Sequence, residues 1–310
     1  MKGYIADKDG CRTALPELLS WDICHGMGEP CDWFEVSFIY YAGLLPALGS
    51  ACRFTAEHRG ERVFTGVVDE YTISIDEKGS VVTISGRSYA ALLLDNELCA
   101  GQWEHISMAQ AVESFVSPYG IETAGVDSDA ALSAFFVSSG ESAWSAIRRF
   151  CSYSKRTTPY FTKDGKLVLN NHAGNAIEID ASKDAAGISL CDERYGIISD
   201  ISIRNRYSGT VSTVENSDFI SRGGKCHKEL SVPKSTGADA VRYTADYQIS
   251  QSMRGKRAVK ITITQQFACF PGDRVKLTAD KLGVNGTFTV ISTHCWADSM
   301  SAGTIVTLEV

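Results

Sequence analysis

Gly49-Ser-Ala-Cys-Arg-Phe-Thr-Ala-Glu57 is matched near the other end of the chain by Gly272-Asp-Arg-Val-Lys-Leu-Thr-Ala-Asp280. Each stretch runs from a glycine turn through a basic residue, an apolar residue and Thr-Ala to an acid. At the same offset upstream, Val36-Ser-Phe-Ile-Tyr40 falls on Val259-Lys-Ile-Thr-Ile263. Downstream, one residue further along, Phe64-Thr65 falls on Phe288-Thr289 and Gly79-Ser-Val-Val-Thr-Ile84 on Gly303-Thr-Ile-Val-Thr-Leu308. Alternation and glycine turns are cheap to match between any two β meanders. A nearly constant offset over four strands is harder to obtain by accident, and it points to two β-barrels of common origin, each closing its edges.

Outward from the repeat, period-two alternation runs through WFEVSFIYY, CRFTAE, RVFTGVVDEYTISI and VVTISGR between Trp33 and Arg87, as in a meander of strands. The texture changes at Ser88, where YAALLLDNEL reads as a short helix. Helical spacing follows over Ser107–Tyr119 and again from Ser139 in SGESAWSAIRRFCSYS. PYFTKDGKLVLNN has the form of a hairpin turning at Asp164-Gly165. The expected fold is therefore mainly β with an α/β insert: a first barrel over 1–95, the insert over 96–180, and a second barrel over 181–310. The second barrel would be assembled from about Ile197–Tyr207 plus Val259–Val310, with a poorly patterned, loop-like insertion at about 208–257.

The 310 residues, 44% hydrophobic and 22% charged, describe an ordered chain large enough for several cores. A formal charge of -7 disfavours a sequence-independent grip on nucleic acid, which rests on Lys and Arg neutralising phosphates. Met1–Thr13 lacks the apolar segment of a signal peptide, and no stretch approaches membrane-spanning length, so a cytoplasmic start is expected. The 10 cysteines are scattered singly and read as reduced, mostly buried thiols. No zinc-site spacing, phosphate-binding glycine loop, G-x-S-x-G or H-E-x-x-H occurs, so neither a cofactor nor a metal is expected.

At the level of residues, Gly66 and Gly86 interrupt β-branched strands, as a bulge or a close backbone approach requires. Arg87 has Asp69 and Asp95 within reach for an intrachain bridge, the simpler reading, and facing a neighbouring subunit is the other. Pro271-Gly272-Asp273 marks a turn capped by Asp273. Of six histidines (His25, His58, His105, His172, His227, His294), only His227 adjoins a cysteine, Cys226, in a nucleophile-like pair. The adjacent acids Asp69-Glu70, Asp76-Glu77 and Asp192-Glu193 point to opposite faces if they lie on strands, and read as surface or turns.

Val63-Phe-Thr-Gly-Val-Val-Asp69, Val82-Thr-Ile-Ser-Gly-Arg-Ser-Tyr-Ala-Ala-Leu-Leu-Leu-Asp95 and Phe270-Pro-Gly-Asp-Arg-Val275 together resemble the baseplate hub proteins of contractile tails, the group of the phage Mu and T4 hubs and the late control D proteins. Gly140-Glu-Ser-Ala-Trp144 and Asp164-Gly165-Lys-Leu are similar to that family's middle domain. The resemblance makes Gly66, Asp69, Gly86, Arg87, Asp95, Pro271 and Gly272 structural signature positions. It implies a non-enzymatic homotrimeric ring joining a sixfold tail tube to a threefold spike, since two barrels in each of three chains imitate six. Tube protein and spike protein are the implied partners, with the tape measure and other baseplate proteins as further candidates. The implied location is the bacterial cytoplasm during assembly and then the particle's baseplate. A wall hydrolase and a glycan-binding tail module are the rival readings.

Overall fold

A computed structural model describes residues 1–27, 31–77, 79–170, 174–205, 211–232 and 238–310. The chain begins with β1 (Lys2–Ala6), β2 (Arg12–Ala14), β3 (Leu18–Gly26), β4 (Trp33–Ile39), the short α1 (Leu45–Ser50), β5 (Arg53–His58), β6 (Glu61–Asp76) and β7 (Gly79–Ser88). Their hydrogen-bonded order is β3-β4-β7-β6-β5-β1-β2, antiparallel throughout. Alternation decides the faces: in β4, Phe34, Val36 and Phe38 are buried while Trp33, Glu35 and Ile39 point away. Ile5 of β1 and Ile23 of β3 lie far apart along this path yet share one core with Phe34, Phe54 and Phe64, so the ladder curls around its own side chains. Phe34 stacks on Phe54 at 3.9 Å between ring centroids.

The chain then builds a mixed unit from α2 (Ala90–Leu94), β8 (Gly101–Ser107), α3 (Met108–Phe115), β9 (Thr123–Ala124), β10 (Ala131–Val137), α4 (Ala143–Lys155), β11 (Tyr160–Phe161) and β12 (Leu167–Val168). Ser107 and Gln110 cap α3 reciprocally, and beyond the helix Pro118 permits only a single 3-10 turn. α4 starts at Ala143 because the Ser142 hydroxyl accepts the Ser145 N–H. Gly165, at φ 81°, turns the β11–β12 hairpin where expected. Leu93, Met108, Phe115, Ile147 and Phe150 form the core of this unit. The strand pair β8–β10 has no counterpart among the sequence-based expectations.

β13 (Ala176–Asp180), α5 (Ala181–Asp184) and β14 (Ala185–Asp192) open a second ladder, which is resumed much later. Between lie β15 (Asp200–Asn205), β16 (Val211–Glu215), α6 (Ser217–Ser221), β17 (His227–Val232) and α7 (Ala238–Met253). The ladder is completed by β18 (Arg257–Ile263), β19 (Arg274–Ala279), β20 (Val284–Ala297) and β21 (Ala302–Glu309). Its order is β14-β18-β21-β20-β19-β13 around Val259, Ile261, Leu277, Val290 and Val306. Three expectations are corrected here. Asp200–Asn205 pairs with β16 and β17 in a separate three-stranded sheet rather than in the second barrel. The stretch expected to be loop-like carries β16, β17 and α7, which bury Ile201, Ile203, Ala245 and Ile249; residues 206–210 and 233–237 lie outside the described part. Ala176–Asp180, expected within the insert, lies beside β19.

The two ladders share the strand order β3-β4-β7-β6-β5-β1 and β14-β18-β21-β20-β19-β13. They also share two bulges. Leu19 is the extra residue between β3 and β4, and Ala186 is the extra residue between β14 and β18. Asp69 is extra between β6 and β7, and Ile291 between β20 and β21. Counted from these bulges, Gly86 corresponds to Leu308, whereas the sequence match sets Ile84 there. A slip of two leaves every side chain on its own face, which is why alternation alone does not detect it. The first strands differ in direction: β1 runs antiparallel to β5, and β13 parallel to β19.

Trp21–Gly26 of β3 pairs with Ser292–Ala297 of β20, fusing both ladders into one 13-stranded sheet. The expected closure of each barrel on itself is therefore absent among the described strands: the edge of β3 that would face β1 is occupied by β20. None of the cysteines is disulfide-bonded, and only Cys151, Cys269 and Cys295 are buried, fewer than expected. Burial pushes the thiols of Cys151 and Cys269 up to about 12.

Candidate functional site

The signature positions gather at the two joints between the mixed unit and the ladders. At the first joint, bulging at Asp69 aims its carboxylate at Arg87 on the neighbouring strand. The guanidinium donates from Nε to Asp69 Oδ2 at 2.7 Å and from Nη2 to Asp69 Oδ1 at 2.9 Å. It also donates to both oxygens of Asp95, at 3.1 and 2.7 Å, just past the end of α2. One fork thus ties the bulge to the entry of the mixed unit. Hydrogen bonding from Arg87 holds the Asp95 carboxyl below its ordinary range, and the two carboxylates push the Arg87 pKa up. Gly66 and Gly86 serve the same place: a Cβ on Gly66 would lie 2.1 Å from the Arg87 carbonyl oxygen, and one on Gly86 2.0 Å from that of Val67. The intrachain reading of Arg87 is the one seen in the structure.

At the second joint, Gly272 stands at φ 93° with room for no side chain, since a Cβ would meet the Tyr160 hydroxyl of β11 at 2.5 Å. Asp273 accepts from the N–H of Phe270 and of Asn175, each at 2.8 Å, so it caps the Pro271-Gly272 turn and fixes the entry of β13. Burial raises the Tyr160 hydroxyl pKa. Phe267 and Phe270, just before this turn, pack against the first core, with Phe270 edge-on to His25 at 5.4 Å.

The chemistry weighed from the sequence is not assembled. Cys226 packs against the core of the small β15–β17 sheet, while His227 is exposed on the Asp200 carboxylate, with Asp200 held below its ordinary pKa by that bond. The adjacent acids are engaged separately: Asp69 with Arg87, Asp76 with the Gly79 N–H, and Glu193 with Lys256 at 3.0 Å. Among the described residues no three His, Cys, Asp or Glu converge as metal ligands. His172 lies outside the described part.

Among the open strand edges of the described residues, two in the joined ladders are long. β14 pairs only with β18. β6 makes its last pairing with β5 at Val67 and runs on to Asp76 with β7 alone. Both edges expose an apolar side chain where strand edges are commonly charged: Ile75 is 72% exposed and Leu190 38%. Beside β14, Ala181, Gly187, Ile188, Asp280 and Leu282 help line a cleft of about 470 Å³. No sequence motif announces these edges; they emerge only once strand order is known.

The same arrangement of ladders and mixed unit occurs in solved structures. The fold matches a tail protein of Neisseria meningitidis MC58 with a TM-score of 0.80 at 15% identity, over 99% of this chain and 95% of that one. It matches the 43 kDa tail protein of prophage MuSo2 from Shewanella oneidensis with a TM-score of 0.79 at 15% identity, over 99% and 98%. The sequence is more specific about kind: residues 90–171 match the second domain of baseplate hub proteins of the gp44-like family. Baseplate hub protein gp44 of Escherichia phage Mu is 27% identical over 143 residues, 43% of this chain and 37% of that protein. The chain therefore aligns with little more than a third of that curated relative. The resemblance to baseplate hub proteins read from the sequence is borne out, and the proteins it resembles are named as tail and hub proteins rather than as enzymes.

Proposed function

We propose that the chain is a structural baseplate hub of a phage tail or a tail-like injection particle. It forms a homotrimeric ring that adapts a sixfold tail tube to a threefold spike. The observation that carries this reading is the recurrence of one strand order and one pair of bulges in both ladders. Three chains with two like ladders apiece offer six like surfaces to a tube while keeping threefold symmetry for a spike. Descent of the two ladders from one ancestral barrel is part of the same reading, as are the division into barrel, insert and barrel and the late control D kinship. The protein is made in the bacterial cytoplasm and ends in the baseplate, where the tape measure and other baseplate proteins are further neighbours. Rigid joints such as the Arg87 fork suit a part that transmits force and turns over no substrate.

The test is sedimentation of the purified chain with the tube and spike proteins encoded beside it. The expected result is a complex with each partner, with three hub chains per spike trimer. Sedimentation of the chain unchanged in the presence of both would overturn the proposal.

A further inference from the structure

Where α7 packs on α4, a cleft of about 270 Å³ opens between the two helices. A single water needs only roughly 10–15 Å³ by such a measure, so there is room for a small ion and its waters. Trp144, Arg148 and Ser152 of α4 line the cleft, and their four-residue steps set them in one row along the helix. Arg149, one position on, is spent: it donates to Glu141 at 2.8 Å and to the Phe136 carbonyl oxygen at 2.6 Å. Arg148 has no acid, acceptor or ring as a partner among the described residues. Trp144 is 4% exposed, and its indole N–H has no acceptor.

A buried N–H is costly to leave without an acceptor, and a guanidinium favours an acceptor that is charged. The cleft offers neither: no Asp or Glu lines it, in a chain with 37 acids. Glu141, just ahead of α4, and Asp246 of α7 are committed to Arg149 and Arg156. Tyr247 of α7 is likewise engaged, its hydroxyl lying 3.4 Å from that of Thr158. The hydroxyls of Ser145 and Ser152 and the amide of Gln248 add donors along the same walls. We propose that this cleft is a binding site for a small oxyanion, a carboxylate or a phosphate. Arg148 supplies the charge and the forked donor, and Trp144 the fixed one. The bound anion bridges α4, in the core of the mixed unit, and α7, which covers the β15–β17 sheet, so occupancy fastens one to the other. This inference stands apart from the ring reading and does not depend on it.

The indole N–H of Trp144 serves as the reporter. With the 5 tryptophans labelled with 15N, Trp144→Phe identifies its resonance by loss. The full chain is titrated with inorganic phosphate and, separately, with acetate, at constant ionic strength. The expected result is a saturable downfield shift of the Trp144 indole proton with at least one of the two anions, while the other indoles stay in place. Arg148→Gln should raise the half-saturating concentration roughly tenfold or more, as loss of a hydrogen bond from a charged donor does. Arg148 has no partner within the chain to lose, and unmoved resonances of the other tryptophans check that the variant is folded. Saturation by phosphate alone assigns a phosphoryl ligand, by acetate alone a carboxylate, and by both a site for either oxyanion. No saturable shift with either anion, or equal half-saturation in wild type and Arg148→Gln, overturns the site.

Discussion

Gly86→Ala is expected to lower stability by about 3 kcal/mol, near the upper end of what overpacking costs. An added methyl group at Gly86 lies 2.0 Å from the Val67 carbonyl oxygen, 2.8 Å from the Phe34 ring and 3.1 Å from the Asp69 amide nitrogen. Two of those neighbours are backbone, which cannot rotate aside, and the third belongs to a ring stacked on Phe54. Relief requires the β6–β7 bulge to open, and that moves Asp69 away from Arg87. Gly49→Ala is the control, because nothing lies within 4 Å of a Cβ there and the residue is in α1. It should be neutral or slightly stabilising, since glycine is a poor helix former. Urea midpoints of the two variants against wild type make the comparison, and equal midpoints for both would show that the bulge yields freely.

Arg87→Leu is expected to cost about 1 kcal/mol at neutral pH, a figure already discounted because all three groups of the cluster are partly exposed and screened. The effect depends on pH with a definite sign. Arg87 lowers the pKa of Asp95 in the folded protein, so the contribution is fully present above the ordinary carboxylate range. It is lost as pH falls through the depressed folded value. The wild type and the variant should therefore differ at pH 7 and converge in acid below the carboxylate range. Arg87→Lys keeps the charge but loses the fork that reaches both carboxylates, and should restore only part of the difference. A gap of the same size at neutral and acid pH would mean that Arg87 acts through packing of its stem.

Much of the architecture is legible in the residues themselves, for physical reasons that also mark where reading fails. The alternation in WFEVSFI and RVFTGVVDE, with glycine where a backbone crosses closely, announces strands and bulges because one face of each strand is buried. The Arg87, Asp69 and Asp95 cluster is readable because strand β7 leads directly into α2, keeping its partners near in sequence. The sequence match and the shared bulges differ by two residues since period-two patterns repeat at that step. β16 and β17 escape notice, and β15 is read into the second barrel, because a small sheet covered by one helix buries few side chains, Ile201 and Ile203 among them. Strand order is the largest gap: nothing local in Ile73, Ile75 or Leu190 says that their edges lack a neighbour among the described strands.

The most direct test is the mass of the purified chain in solution, measured by light scattering across a wide concentration range. Three times the mass of one chain, held constant on dilution or reached as concentration rises, is the predicted result. A single-chain mass at every concentration, unchanged when spike protein is added, would contradict the ring.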